Sequence, residues 1–216
     1  MTGIQRYSPV TFRSGIRETE IRDNWNIVLR YQEEGPGPWL VDLSHQPRWD
    51  LQDHRIDDLS SGDLRVPTGP GECGFSKNRL INRMNRTQAA IWHLGTEETE
   101  PPDVRGITDV TEATVFLALF GPETFHIAEK LTALDFMSPD RKAPFLLQGP
   151  FCHVPCQIVT LEKTPEMSGG LLITFSRGYA DSMIHALLDC GKAFGLRPAG
   201  ETRFGEWIQR LQRPAG

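Results

Sequence analysis

Seven residues, Thr114–Phe120 (TVFLALF), form an almost wholly apolar run between polar neighbours. A run this short and unbroken suits a strand covered on both faces, because a half-exposed strand would alternate. Gly121 ends it, Pro122 fits the first position of a helix, and Glu123 puts negative charge at the helix's positive end. The stretch 107–135 is therefore expected to form strand, tight turn and helix. Ile127, Leu131 and Leu134 make the stripe that returns to the strand, widened by Phe125 and Ala128.

Downstream, Phe145–Pro150 leads into a strand at His153–Glu162. Lys163–Gly170 connects it to a further strand, Leu171–Ser176. Tyr179–Phe194 carries Met183, Leu187, Cys190 and Phe194 at helical spacing before Gly195, and Glu201–Leu211 suits a final helix. The second half reads strand–helix–strand–strand–helix, an α+β arrangement with helices on one face of an antiparallel sheet. In the first half, Trp25–Tyr31, Trp39–Leu43 and Arg48–Gln52 read as strands, the last pairing nearby, and Asp53–Cys73 as a polar surface loop. Asn78–Leu94 fits a helix through Leu80, Met84 and Ala90/Ile91, and fits equally a hairpin of RLINRM with QAAIWHL; the hairpin is preferred. Thr96–Gly106, acidic with adjacent prolines, reads as a linker, so the expected halves are 1–100 and 107–211.

With 216 residues the chain can bury a sizeable core, and its net charge of −5 argues against nucleic acid or an anionic membrane as main partner. Its basic residues are mostly arginine, with only five lysines, which suits fixed pairing to carboxylates or phosphates. No apolar run reaches the length of a membrane span, and MTGIQRYSPV has no hydrophobic signal core, so a cytoplasmic setting is expected. Four scattered cysteines, Cys73, Cys152, Cys156 and Cys190, read as free thiols.

Asp109-Val110-Thr111, Phe120-Gly121-Pro122-Glu123 and Leu131-Thr132-Ala133-Leu134-Asp135 resemble the folate-binding T-protein of the glycine cleavage system. They resemble the small gamma subunit of heterotetrameric sarcosine oxidase at least as well, and Phe175–Leu188 and Phe194–Gly200 extend the likeness in the same order. The resemblance implies a compact aminomethyltransferase-type fold of two βα-rich halves, the second ferredoxin-like. It implies an accessory subunit, partnered by larger chains or by itself, in one-carbon or N-methyl metabolism. The alternative is a stand-alone tetrahydrofolate-dependent aminomethyl- or methyltransferase.

Several residues carry over from that resemblance. Asp42-Leu43-Ser44-His45 is similar to a T-protein segment beside the folate channel; Asp42 at a buried strand's end could accept a proton or hydrogen bond from an amine, or make an ordinary turn bond to Ser44. Ile56-Asp57-Asp58-Leu59 matches a segment bearing a catalytic aspartate, which gives Asp58 that role by resemblance. Here the segment runs into Ser60-Ser61-Gly62-Asp63, so a solvated helix end or loop competes. Glu166 stands where the family's pterin-binding glutamate lies, without the accompanying tyrosine, and Arg203 is what remains of an arginine-rich end. Ser176-Arg177 at a strand-to-helix junction suits a carboxylate, phosphate or folate tail, or else a helix cap and a surface ion pair. These departures favour the gamma-like reading. Cys152-His153-x-x-Cys156 is read as a thiol pair and not a metal site, since Cys152, Val154 and Cys156 would share one strand face with His153 on the other.

Overall fold

The computed structural model describes residues 4–61 and 64–212, and only the backbone of Ser60 and Ser61. The first strands are β1 (Ile16–Arg22), β2 (Trp25–Tyr31), β3 (Trp39–Asp42) and β4 (Arg48–Gln52). Two short strands follow, β5 (Ser60–Ser61) and β6 (Leu64–Arg65), then β7 (Cys73–Ser76), β8 (Arg79–Asn85), β9 (Gln88–His93) and β10 (Ile107–Asp109). The chain continues with β11 (Thr114–Gly121), α1 (Thr124–Glu129), β12 (Phe145–Phe151), β13 (Val154–Lys163) and β14 (Gly169–Ser176). It closes with α2 (Ala180–Gly191), β15 (Arg197–Ala199) and α3 (Glu201–Gln212).

β10, β4, β9, β8 and β7 form, in that order, an antiparallel five-stranded sheet. β12, β13, β14, β11, β3 and β15 form a six-stranded sheet in which β15 runs parallel to β3 and the other neighbours are antiparallel. The architecture is α+β. The sheets do not divide at residue 100: β3 is hydrogen-bonded between β11 and β15, while β10 joins the five-stranded sheet through β4.

The apolar run Thr114–Phe120 becomes β11, buried on both faces as its composition requires. Val115, Leu117 and Leu119 pack with Phe125 and Ile127 of α1 and Met183 and Leu187 of α2. Phe116, Ala118 and Phe120 face Leu80 and Trp92 of the five-stranded sheet and Phe204 and Trp207 of α3. Each large apolar side chain fully buried in this way contributes about 1.5–3 kcal/mol. Trp207 stacks on Phe120 at 4.7 Å between ring centroids, lying over Gly170, where a Cβ would come within 2.2 Å of its ring. That contact docks α3, the added final helix, on the face opposite α1 and α2, which share one face of the sheet as the strand–helix–strand–strand–helix reading expects.

Other expectations are corrected by local chemistry. Glu123 adopts a left-handed conformation at φ 60° and precedes α1 instead of opening it; Thr124 Oγ1 donates to the Gly121 carbonyl at 2.9 Å. The helix ends at Glu129, where the Leu131 N–H closes on Ala128, and the Leu131 carbonyl then accepts from Cys152. Cys152 and His153, with φ of 50° and 64°, are the two turn residues between β12 and β13 and lie on no strand. β4 pairs with β9 and β10, not with β3. The 53–73 segment is no simple surface loop: Ile56 and Leu64 are buried with Trp49, Leu51, Ile81 and Ile91, and Asp57 pairs with Arg83 at 3.0 Å. Gly62 and Asp63 of that segment lie outside the described residues.

The sheets are stitched together by Arg48, the first residue of β4, whose guanidinium is buried. It donates to the carbonyls of Gln46 (2.6 Å), Thr111 (2.5 Å), Thr114 (2.9 Å) and Ser44 (3.3 Å) and to Thr114 Oγ1 (3.1 Å), and lies over the Phe116 ring. Burial pulls this guanidinium down to about 9, with Asp42 and Asp109 acting against the fall. Arg48→Met leaves several buried carbonyls without donors and should cost about 3 kcal/mol or more. Arg48→Lys, with no planar fork, should recover only part of that. Urea denaturation midpoints check this; a wild-type midpoint for Arg48→Met would refute the assignment.

Candidate functional site

The β3–β4 connection, Leu43–Pro47, carries the chemistry that the fold gathers. Leu43 N–H donates to the Phe116 carbonyl at 2.8 Å and Ser44 Oγ accepts from the Phe116 N–H at 3.2 Å, fixing the loop against β11. Arg48 holds its carbonyls from the other side. His45 and Gln46 are thereby turned toward the start of α3.

There they meet Glu201, the first residue of α3, 4 % exposed. Its Oε1 accepts from His45 Nε2 (2.7 Å), Gln46 Nε2 (2.8 Å) and Arg22 Nη1 (3.0 Å), and its Oε2 from Arg22 Nη2 (3.0 Å). Burial alone would raise the carboxyl, but the hydrogen bonds and charges of His45 and Arg22 outweigh it and bring Glu201 down to about 2. Arg22 is held charged, its pairs with Glu201 and Glu20 overcoming partial desolvation. Gly200 makes the approach possible, because a Cβ there would lie 2.1 Å from the Leu29 carbonyl of β2. The β1–β2 hairpin can thus bring Arg22 beside the helix start.

A hollow of about 400 Å³ is lined by Glu201, Arg22 and Glu20, and two more are lined by His45. One, of about 290 Å³, is lined by Arg22, Trp25, His45 and Gln46 and edged by Asp23, Glu97, Glu98 and Glu100. The other, of about 70 Å³, lies against Ser8, Tyr31 and Asp42; Trp25, Ile27 and His45 line both. Trp25 is buried with its indole N–H unpartnered among the described residues, and Arg6 covers its ring at 4.8 Å.

Asp42 alone of the six sequence-derived candidates lines any of these hollows, and both its oxygens are engaged: Oδ2 accepts from Ser8 Oγ (2.5 Å), Oδ1 from Ser44 N–H (3.0 Å). Asp58 is exposed on a 3-10 turn, Ile56–Asp58. Glu166 is exposed in the β13–β14 turn, its carboxyl lowered by a hydrogen bond from Thr164. Ser176 is exposed and makes no side-chain cap; Arg177 donates to the Tyr7 carbonyl at 2.6 Å. Arg203 pairs with Glu34 and Glu206 and covers Trp39 at 5.2 Å. Among the described residues no group of three or more His, Cys, Asp or Glu is placed to hold a metal. Burial pushes the Cys156 thiol up to about 12, and burial together with Cys190 raises that of Cys152.

Sequence reading missed Glu201, Arg22 and Trp25, and took Asp42 from the Asp-Leu-Ser-His segment without its histidine. The residue after Gly200, an acid opening a helix, was the available signal. With its lone pairs saturated, Glu201 is suited to fixing His45 and Gln46 rather than to taking a proton.

The depressed Glu201 carboxyl stabilises the fold at pH above its unfolded value near 4.5, and this contribution is lost as pH falls toward 2. The difference corresponds to about 3 kcal/mol. Glu201→Gln should lower stability at neutral pH by that order and flatten the pH dependence between about 4.5 and 2. Denaturant unfolding across that range checks it; equal slopes for both proteins would refute the pairing.

No family model matches the chain, and no curated protein matches it. Among solved structures it is similar to a chain of heterotetrameric sarcosine oxidase from Corynebacterium sp. U-96 in complex with pyrrole 2-carboxylate, at 14% identity and a TM-score of 0.56. The match covers 72% of this chain and 84% of that one, and shows that the two share a fold.

Proposed function

We propose that the protein is a small accessory subunit of a hetero-oligomeric oxidase assembly acting on N-methyl or related amines, with a fold of the folate-binding type. The observation that carries this reading is the shared fold with a chain of a heterotetrameric oxidase. The match covers a larger share of that chain than of this one, so the matched chain is the shorter of the two. The site supports a structural role: Glu201 and Asp42 have their oxygens occupied by protein donors, so neither is free to act as general base.

The surface supports partnership. Of the six large hydrophobic side chains that are exposed among the described residues, Ile4, Tyr7, Ile16 and Ile21 lie within the first 21. β1 is exposed along its length except at Arg22 and pairs with β2 alone, so its outer edge offers unpaired backbone groups. Such an edge with apolar side chains beside it suits a neighbouring chain.

The protein purified gently from its own host should scatter light at a mass well above the 24.3 kDa of the chain and carry other chains with it. Ile21→Asp should weaken that assembly while leaving the unfolding midpoint nearly unchanged, since Ile21 is 76% exposed. A lone chain under these conditions would overturn the reading. Calorimetric titration with tetrahydrofolate separates it from the transferase alternative: saturable binding and methylene transfer lost in Asp42→Asn would favour the enzyme.

A further inference from the structure

Away from the Glu201 cluster, a groove of about 900 Å³ runs between the end of β7, the 139–144 loop, the end of β13 and the last turn of α3. Its volume lies within the range of small-molecule sites, roughly 300–1,000 Å³. Phe75, Leu161, Ile208 and Leu211 give it an apolar floor, and Phe75 is 45% exposed. Its remaining wall is basic: Lys77, Arg141, Lys142 and Lys163 line it, three of the five lysines in a chain of net charge −5.

Three of them, Arg141, Lys142 and Lys163, are not balanced locally by the described residues. Arg141 and Lys163 both sit against the Phe145 ring, at 5.7 and 5.3 Å from its centroid. Among the described residues no carboxylate comes within ion-pair distance of Arg141, Lys142 or Lys163. Glu162, the acid on the wall, is turned to α3, where it accepts from Trp207 Nε1 at 3.2 Å and pairs with Arg210 at 3.4 Å. An apolar floor beside uncompensated positive charge is complementary to a molecule with an apolar body and an anionic head.

We infer that this groove binds an amphipathic organic anion, an apolar carboxylate, with its body on Phe75, Leu161, Ile208 and Leu211 and its head at Arg141, Lys142 and Lys163. The inference does not depend on the subunit reading.

The test uses 1-anilinonaphthalene-8-sulfonate, an apolar aromatic with one anionic group, as fluorescent probe on the full chain. The probe should bind saturably, be displaced by decanoate but not by decyltrimethylammonium, and weaken as salt rises. The double variant Arg141→Glu/Lys142→Glu, at two exposed positions, should lose about tenfold or more in probe and decanoate affinity. Leu211→Asn, which alters the floor and no charge, should weaken both as well. Equal displacement by the cationic detergent, wild-type affinity in both variants, or no saturable binding would each overturn the inference. A circular dichroism spectrum like the wild type's confirms that the variants are folded.

Discussion

Arg48 is the constraint on which the rest of the structure depends. A buried guanidinium with no carboxylate at contact among the described residues needs its donors met by carbonyls, and the carbonyls it takes belong to two loops, Leu43–Pro47 and the 111–114 turn. The first connects β3 of the six-stranded sheet to β4 of the five-stranded sheet; the second connects β10 to β11 and makes the same passage in reverse. One side chain therefore fixes both crossings between the sheets. The direction in which His45 and Gln46 leave the loop follows, and with it the hydrogen-bonded surround of Glu201.

α3 extends this order across the molecule. Its first residue is the buried acid of the Glu201 cluster, and its last turn supplies Ile208 and Leu211 to the basic groove. Ten residues at about 1.5 Å each put Leu211 roughly 15 Å from Glu201 along the axis. The hollow at its start is edged by carboxylates and the groove at its end by cations, so the molecule is electrically polar despite its modest net charge. Trp207, stacked midway on Phe120, keeps both ends in place.

The sequence was most legible where composition speaks locally. The unbroken run at Thr114–Phe120 demanded cover on two faces, and β11 receives it. The pairing of Arg79–Asn85 with Gln88–His93 was preferred over a helix that fitted the same residues, and the hairpin is what forms. The stop at Gly195 was readable from spacing, with α2 finishing at Gly191 and a 3-10 turn, Lys192–Phe194, leading to it. Reading failed where a distant partner decides. Ile56 and Leu64 look like scattered apolar residues in a polar loop until the outer face of the five-stranded sheet is there to cover. Leu131 and Leu134 keep helical spacing after the backbone has already turned to meet the β12–β13 hairpin at Cys152. Glu201 and His45 are 156 residues apart, and neither announces the other. Family resemblance pointed to the Asp42 segment, whereas the groups that converge there come from the hairpin and from α3.

The insertion of β3 between β11 and β15 has a consequence for how the chain is made. Trp39–Asp42 leaves the ribosome early, yet its two hydrogen-bonding neighbours are Leu117–Phe120 and Arg197–Ala199. Both edges of this short apolar strand are open until Leu117–Phe120 is made, and the second stays open until Arg197–Ala199 follows. Its pairings are long-range in sequence, which slows acquisition of the native state and lengthens exposure to aggregation. The nascent six-stranded sheet thus stays unfinished from the synthesis of β3 until that of β15, whose three residues close it.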